Sequence, residues 1–462
     1  MGLRDANPPT PPNPPSPPRP PTEPTEPTEP TEPTEPTEPT EPPPAAATPP
    51  DPGLVASLRG LDSDGRLLFA TRIMRMFGYG FLAVVLVLYL DALGLSPTMI
   101  GLVLTLTLVG DAIVSLWLTT NADRLGRRRV LVVGSVLMVL AGLAFTLTSA
   151  VPLLIVAATI GVISPTGNEV GPFLAVEQAA LSQAIHDVRR TATFAWYNLV
   201  GYLATASGAL AGGLASQGLL AGGLTPVAAY RAIVIGYALV GVAMAIVFSR
   251  VGSAVEAPPR EASSDGIRRR LGLGRSKGVV LRLSALFSID AFAGGFVPQS
   301  LIAYWFHLRF GVAPGGLGAI FFGANVLAAV SSLSAARISA RIGLINTMVF
   351  THLPSNVLLL LVPLMPNLPL AVLVLLLRFS LSQMDVPTRQ SYVMAVVDPD
   401  ERSAAAGVTG IARSTGAALS PALSAPLIAS AGLASVPFFV AGGLKIVYDL
   451  LLYRAFRSAR RS

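Results

Sequence analysis

Ala122-Asp123-Arg124-Leu125-Gly126-Arg127-Arg128-Arg129 joins two apolar stretches, each about long enough to cross a bilayer. Four arginines, one aspartate and a turn-forming glycine in so short a run cannot rest in hydrocarbon, so it reads as a hairpin at a membrane surface. Outward from it, in both directions, apolar runs of about 20 residues or more alternate with polar connections. Twelve spans are predicted, at 67–90, 99–119, 129–149, 152–175, 191–213, 228–248, 280–304, 313–336, 343–364, 368–388, 403–428 and 432–454. Composition agrees: 52% of the 462 residues are hydrophobic and only 13% charged. The mean hydropathy of +0.61 is far from that of a soluble domain.

Arginine placement sets an orientation. Alternate connections carry Arg124, Arg127, Arg128, Arg129, Arg189, Arg190, Arg250, Arg260, Arg268, Arg269, Arg270, Arg275 and Lys277. Further along come Arg337, Arg341, Arg389, Arg402 and a basic tail from Arg454 to Arg461. The opposite connections are nearly empty, with Arg231 and Arg309 as exceptions. Cytoplasmic loops concentrate Lys and Arg, so both termini are expected on the cytoplasmic side of a cell membrane. The pI near 10.0 therefore reflects topology and gives no reason to expect nucleic acid.

The hairpin resembles the loop between helices 2 and 3 of the major facilitator superfamily. The core Asp-Arg-x-Gly-Arg-Arg is intact at Asp123, Arg124, Gly126, Arg127 and Arg128, and Thr119 and Asn121 stand where the family pattern has Gly and Leu. The resemblance implies an all-α polytopic membrane protein with twelve transmembrane helices in two six-helix halves. It also implies a secondary active transporter of a small organic solute, working by alternating access with helices 1, 4, 7 and 10 lining the cavity. In such proteins the hairpin stabilises one access state. Asp123 is suited to complement the positive N-terminal end of helix 11, although Asp398, Asp400 and Glu401 compete for it. Charge for topology alone is the plainer reading of the loop.

An internal repeat agrees with two halves. A shift of 217 residues lays Gly94-Leu-Ser-Pro97 and Gly101 on Gly311-Val-Ala-Pro314 and Gly318. The same shift lays Gly78 on Gly295 and Arg124-Leu-Gly126 on Arg341-Ile-Gly343. After a five-residue change, a shift of 212 lays Gln178 on Gln390, Arg190 on Arg402 and Ala192 on Ala404. Duplicated halves are a recurrent transporter design, with the substrate site between them near midplane. The expected domains are a disordered tail over 1–60, a first half over 61–249, a central cytoplasmic loop over 250–279, a second half over 280–455 and a basic tail over 456–462. Residues 1–53 hold 22 of the 40 prolines and seven Pro-Thr-Glu triplets, a composition that cannot bury a core. They read as an acidic tether or as a repeat without function. Lacking an apolar signal region, they are expected to stay attached.

Charges inside spans carry the mechanism, because each costs roughly 2.5–3.5 kcal/mol at a helix centre on insertion scales and needs a partner or a task. They are Arg72 and Arg75 in helix 1, Asp111 in helix 2, Glu169 in helix 4, Asp290 in helix 7, Arg378 in helix 10 and Arg413 in helix 11. Arg72, near the inner end, also reads as snorkelling to the surface. Helix 4 contains Ser164-Pro-Thr-Gly-Asn168-Glu169-Val-Gly-Pro172, whose prolines and glycines weaken it around Asn168 and Glu169. That is either an exposed coupling site or a packing kink. Glu169 is the first candidate to carry a proton and Asp290 the second. Arg378, with Arg75, is suited to an anionic substrate group; alternatively Asp290 neutralises Arg378. Gln299 and Tyr304 extend the site outward, and His307 reads as interfacial. Asp111 is expected to gate by pairing with Arg413 across the halves, with Arg75 as rival partner.

The expected partners are a small-molecule substrate, a proton as coupling ion and the lipid bilayer, with no cofactor, metal or nucleic acid, and a monomer is expected. Efflux or antiport is favoured; organic-anion uptake, a uniport facilitator and a transporter-like sensor or scaffold remain as alternatives. The drug-antiporter pattern Gly-x-x-x-Gly-Pro-x-x-Gly-Gly falls on Ala204, Gly208, Ala209, Gly212 and Gly213, without its first Gly and its Pro. No hydrolase, metalloprotease or Walker-type phosphate motif is present, and the chain has no cysteine and only three histidines. An enzyme is not expected.

Overall fold

The computed structural model describes residues 62–184, 187–252, 255–256, 274–398 and 401–456, without the side chains of 182–192 and 403. The expected tail over 1–60, most of the central loop and the basic residues from 457 onward lie outside them. Most of the described chain is helical, and no strand occurs among the described residues. Nine of its segments are long and apolar enough to cross a membrane, and the pair Ser63–Ala83 and Leu86–Ala92, bent by 41°, makes a tenth. Two further spans are built from shorter helices: span 4 from Val151–Ile160 and Phe173–Ala184, and span 11 from Arg402–Leu419 and Pro421–Ala429.

The repeat read from sequence is repeated in the backbone. Spans 2 and 8, Pro97–Leu125 and Pro314–Ile342, have the same 29-residue length and begin on prolines preset for a first helical turn. Gly94 and Gly311 precede them with φ of +82° and +64°, and Gly126 and Gly343 follow with +93° and +86°, conformations that favour glycine. Phe173–Ala184 and Asp385–Val396, the second pieces of spans 4 and 10, are both 12 residues long and separated by the other repeat shift.

Packing follows the same symmetry. Spans 1 and 5, 3 and 6, 1 and 6, and 2 and 4 pack in the first half; 7 and 11, 9 and 12, 7 and 12, and 8 and 10 pack in the second. The halves meet through spans 5 and 8 and spans 2 and 11. Small residues permit these approaches: a Cβ on Gly101 would meet the Pro421 carbonyl at 2.7 Å, and one on Gly318 the Ala209 carbonyl at 2.6 Å. Gly208 and Gly212, kept from the antiporter pattern, bring span 5 against the backbone of Phe77 and Phe81 in span 1.

The seam between halves is closed at one end. Ala422 N donates to Thr105 Oγ1 at 2.9 Å, Gly315 N to Gln217 Oε1 at 2.9 Å, and Tyr304 Oη to Asp91 Oδ1 at 3.0 Å. Ser300 N to the Pro165 carbonyl and Tyr202 Oη to Gln383 Oε1 close mid-depth. Toward the hairpin, Ile113 and Trp117 of span 2 stand 64% and 59% exposed, and a Cβ on Gly407 or Gly410 of span 11 would meet nothing within 4 Å.

Candidate functional site

Each half builds an ion network between its first and fourth spans, and the polarity is reversed between them. In the first half Arg75 is fully enclosed. Its two Nη atoms donate to the two Glu177 oxygens, and its Nε to Glu169 Oε1, all at 2.7 Å. A planar fork meets a carboxylate edge on, the strongest such geometry. Arg72 pairs with the other Glu169 oxygen and lies 4.6 Å from the Tyr197 ring centre. Arg72 therefore does not snorkel: Glu169 and the ring hold it inside. Tyr197 Oη and Thr71 Oγ1 also donate to Glu177. Of the two glutamates, Glu177 is wholly enclosed and Glu169 keeps 15% of its side chain exposed.

In the second half Asp290 of span 7 accepts from Lys445 Nζ at 2.5 Å and from Arg389 at 3.0 Å. Arg389 also pairs with Asp385 at 3.3 Å. Behind them His352 Nδ1 and Asn356 Nδ2 each lie 2.9 Å from the Asp449 carboxylate. The shift of 212 that aligned Gln178 with Gln390 lays Glu177 on Arg389, so an Arg-to-Glu pair in one half answers an Asp-to-Arg pair in the other. The expected neutralisation of Arg378 by Asp290 is corrected here, because Lys445 and Arg389 occupy both Asp290 oxygens.

Span 4 is broken rather than kinked. Residues 161–172 leave the helix, and Gly167 and Gly171 take φ of +69° and +81°. Backbone groups freed at membrane depth need partners inside the protein. Asp111 Oδ1 accepts from Gly171 N at 2.6 Å and from Ser115 Oγ at 3.1 Å. Tyr79 Oη donates to the Val170 carbonyl at 3.0 Å, and Ser164 Oγ to that of Asn168 at 2.7 Å. Asp111 thus pairs with neither Arg413 nor Arg75 in this state; it caps the break, and Arg75 is committed to the glutamates. The Asn168 side chain is exposed, and Gln299 accepts from Asn325 at 3.2 Å while packing on Gly167. Tyr304 lies in the closed end against Asp91, and His307 sits at the end of its helix near the Val312 carbonyl.

At the hairpin, Asp123 accepts from Arg127 Nε at 3.0 Å and reaches no described residue of span 11, at whose start residues 399 and 400 lie outside the described ones. A cap is made at span 3: Glu256 accepts from Arg127 N and Arg128 N at 2.7 and 3.2 Å. Arg128 also reaches the Ser249 carbonyl, Gly126 makes the turn and Arg124 is exposed. Glu401 accepts from the backbone of Gly274, Arg275 and Ser276 at the entry to span 7. The Gly274 bond first, then those from Ser276 and Arg275, hold its carboxyl below the ordinary glutamate value of 4.5.

Sequence reasoning gave no site role to Glu177, Lys445, Asp385, His352, Asp449 and Asp91, and it placed Arg389 in a cytoplasmic connection, which the structure corrects by burying it against Asp290 and Asp385. The predicted ends of spans 4 and 10, at 175 and 388, stop just short of Glu177 and Arg389. The alignment of Gln178 with Gln390 was the available signal.

Two helical halves, each holding a buried ion network inside apolar spans, define a polytopic membrane protein. The family model for the Major Facilitator Superfamily matches residues 68–421, and the chain belongs to that superfamily. It is 29% identical over 429 residues, 87% of this chain and 96% of the other, to an uncharacterized membrane protein of Saccharomyces cerevisiae. Among solved structures, a mutant of the nucleoside transporter NupG superposes with a TM-score of 0.67 at 14% identity, over 85% of this chain and 99% of that one. A D-xylose-proton symporter gives 0.65 at 15%, over 84% and 97%. The class is that of the superfamily, membrane transporters of small solutes.

Proposed function

We propose that the chain is a proton-coupled secondary transporter of a small organic solute in a cell membrane, acting as a monomer with both termini cytoplasmic. The observation that carries this reading is Glu169. It is the one acid of the first-half network that is partly exposed, it lies on the broken segment of span 4, and it holds Arg72 and Arg75 of span 1. Protonation at its carboxylate removes the charge that ties these two arginines to the break. Arg75 keeps Glu177, and the break is free to re-pack as the halves rock. Asp290, held by Lys445 and Arg389, is the second candidate for this role. With the arginine-rich connections cytoplasmic, the hairpin end faces the cytoplasm, and export of the solute against proton entry is the favoured direction.

Purified protein in proteoliposomes tests the coupling. Glu169→Gln should abolish transport driven by a pH gradient while leaving gradient-free exchange largely intact. Gradient-driven transport equal to wild type in that variant would remove Glu169 from the mechanism.

A further inference from the structure

Spans 10 and 11 carry two arginines that the networks leave over. Arg378 and Arg413 make no hydrogen bond or ion pair with any described residue, and the Nε of each is buried without a partner. The Arg378 guanidinium lies 5.0 Å from the Phe379 ring centre, a contact that leaves its N–H edge without an acceptor. Both arginines stand within electrostatic range of Asp290 and Asp385. Those carboxylates are already taken by Lys445 and Arg389, and Arg389 repels Arg413.

Among the described residues of this half, Asp290, Asp385, Asp449, Arg389 and Lys445 are buried together, Glu401 is buried apart from them at the entry to span 7, and the half-buried Arg378 and Arg413 add two cations that pair with no carboxylate. A proton on His352 would add a further cation. In the first half Arg72 and Arg75 are paired by Glu169 and Glu177, and Asp111 is held by Gly171 N and Ser115 Oγ, so neither arginine is left over. Gly410, one turn before Arg413, meets nothing within 4 Å, so this face of span 11 is not covered by other protein atoms there. A half-buried guanidinium with an unpartnered Nε and no counter-ion is destabilising, and such charges in spans mark pathways.

We infer that Arg378 and Arg413 form an anion-receiving wall of the translocation pathway, and that the solute carries a carboxylate or phosphate group. This names the substrate class of the transporter proposed above and rests on that reading. Guanidinium forks suit both oxyanions, and the anion supplies the acceptors that the protein does not.

Full-length protein in phosphatidylcholine nanodiscs, which contain no anionic lipid, is titrated with succinate, inorganic phosphate and uncharged succinamide while Tm is followed. Succinate or phosphate should raise Tm saturably, and succinamide should not; whichever anion acts separates carboxylate from phosphate. Arg378→Gln and Arg413→Gln should each raise the Tm of the unliganded protein, yet weaken the apparent anion affinity roughly tenfold or more, the value of one charge-assisted hydrogen bond. The Arg→Lys variants should fall between.

Succinamide matching succinate, both anions leaving Tm unmoved, or Gln variants binding as wild type would each overturn the site. So would Gln variants of lower unliganded Tm, which would make the arginines structural. Proteoliposome transport separates the two readings. Anion binding without gradient-driven transport removes the coupling and leaves the site, whereas gradient-driven transport confined to uncharged or cationic solutes does the reverse.

Discussion

Arg75 keeps a full charge inside a membrane span by spending its Nε and both Nη atoms on two carboxylates. Removing one partner of such a pair costs about 3–5 kcal/mol, because the other is left charged and dry, whereas replacing both is far milder. Glu177→Met leaves Arg75 with Glu169 alone and should lower stability by up to that amount, and Arg75→Met with Glu177→Met should recover much of it. Unfolding in nanodiscs decides this, and losses that simply add would show that the two side chains are not coupled. Arg75, Glu169 and Asp290 were legible because a charge within an apolar run stands out against its neighbours. Lys445 and Asp449 obey the same rule in span 12. Glu177 and Arg389 do not, since they sit among Gln178, Gln183, Thr388 and Gln390, where hydropathy fades although the helix continues. What no residue pattern discloses is pairing. Asp290 chose Lys445, some 155 positions away, over Arg378, and only packing decides that.

Span 4 replaces a continuous helix with a backbone loop at depth, and the loop stands on glycine conformation and borrowed acceptors. At Gly171, with φ +81°, an added Cβ also meets the Phe173 ring at 3.0 Å. Gly171→Ala should cost about 1–2 kcal/mol for the left-handed backbone, with the ring contact added. Gly223→Ala, at φ +90° with nothing within 4 Å, should pay for the backbone alone. A Tm loss larger at Gly171 than at Gly223 is expected; equal losses would mean the ring gives way without cost. The two prolines and two glycines made this weakness legible, but not that Asp111, sixty residues earlier, caps it. A second element junction is pH-sensitive. Glu401 is lowered by its backbone donors at the start of span 7, so its contribution is fully present above about 4.5 and is lost as pH falls through the lower folded-state value. The Tm gap between wild type and Glu401→Gln should hold steady above pH 4.5 and close below it. A gap that widens on acidification would contradict this cap.

At the scale of the whole molecule, the seam is what separates one access state from the other. The duplication gave spans 2 and 8 equal lengths and the same terminal glycines, and it was readable in sequence for that reason. Which end of the seam is closed was not readable, since both states use the same residues. Here closure rests on backbone contacts at Gly101 and Gly318, where a Cβ would meet a carbonyl at 2.7 and 2.6 Å. A larger side chain at these positions penalises only the state in which that end is sealed, because rocking the halves apart removes the clash. Gly101→Leu and Gly318→Leu should therefore shift the population toward opening at the end away from the hairpin. The natural chain has no cysteine, so single cysteines report without background. In Gly101→Leu, Thr105→Cys, at the sealed end, should become reactive to an impermeant maleimide. Trp117→Cys, 59% exposed at the hairpin end before substitution, should become less reactive. If the transporter proposed above opens its pathway to one side at a time, the two changes move in opposite directions. If both positions gain reactivity, the substitution has loosened the fold. If neither changes, the glycines are not what holds this end shut.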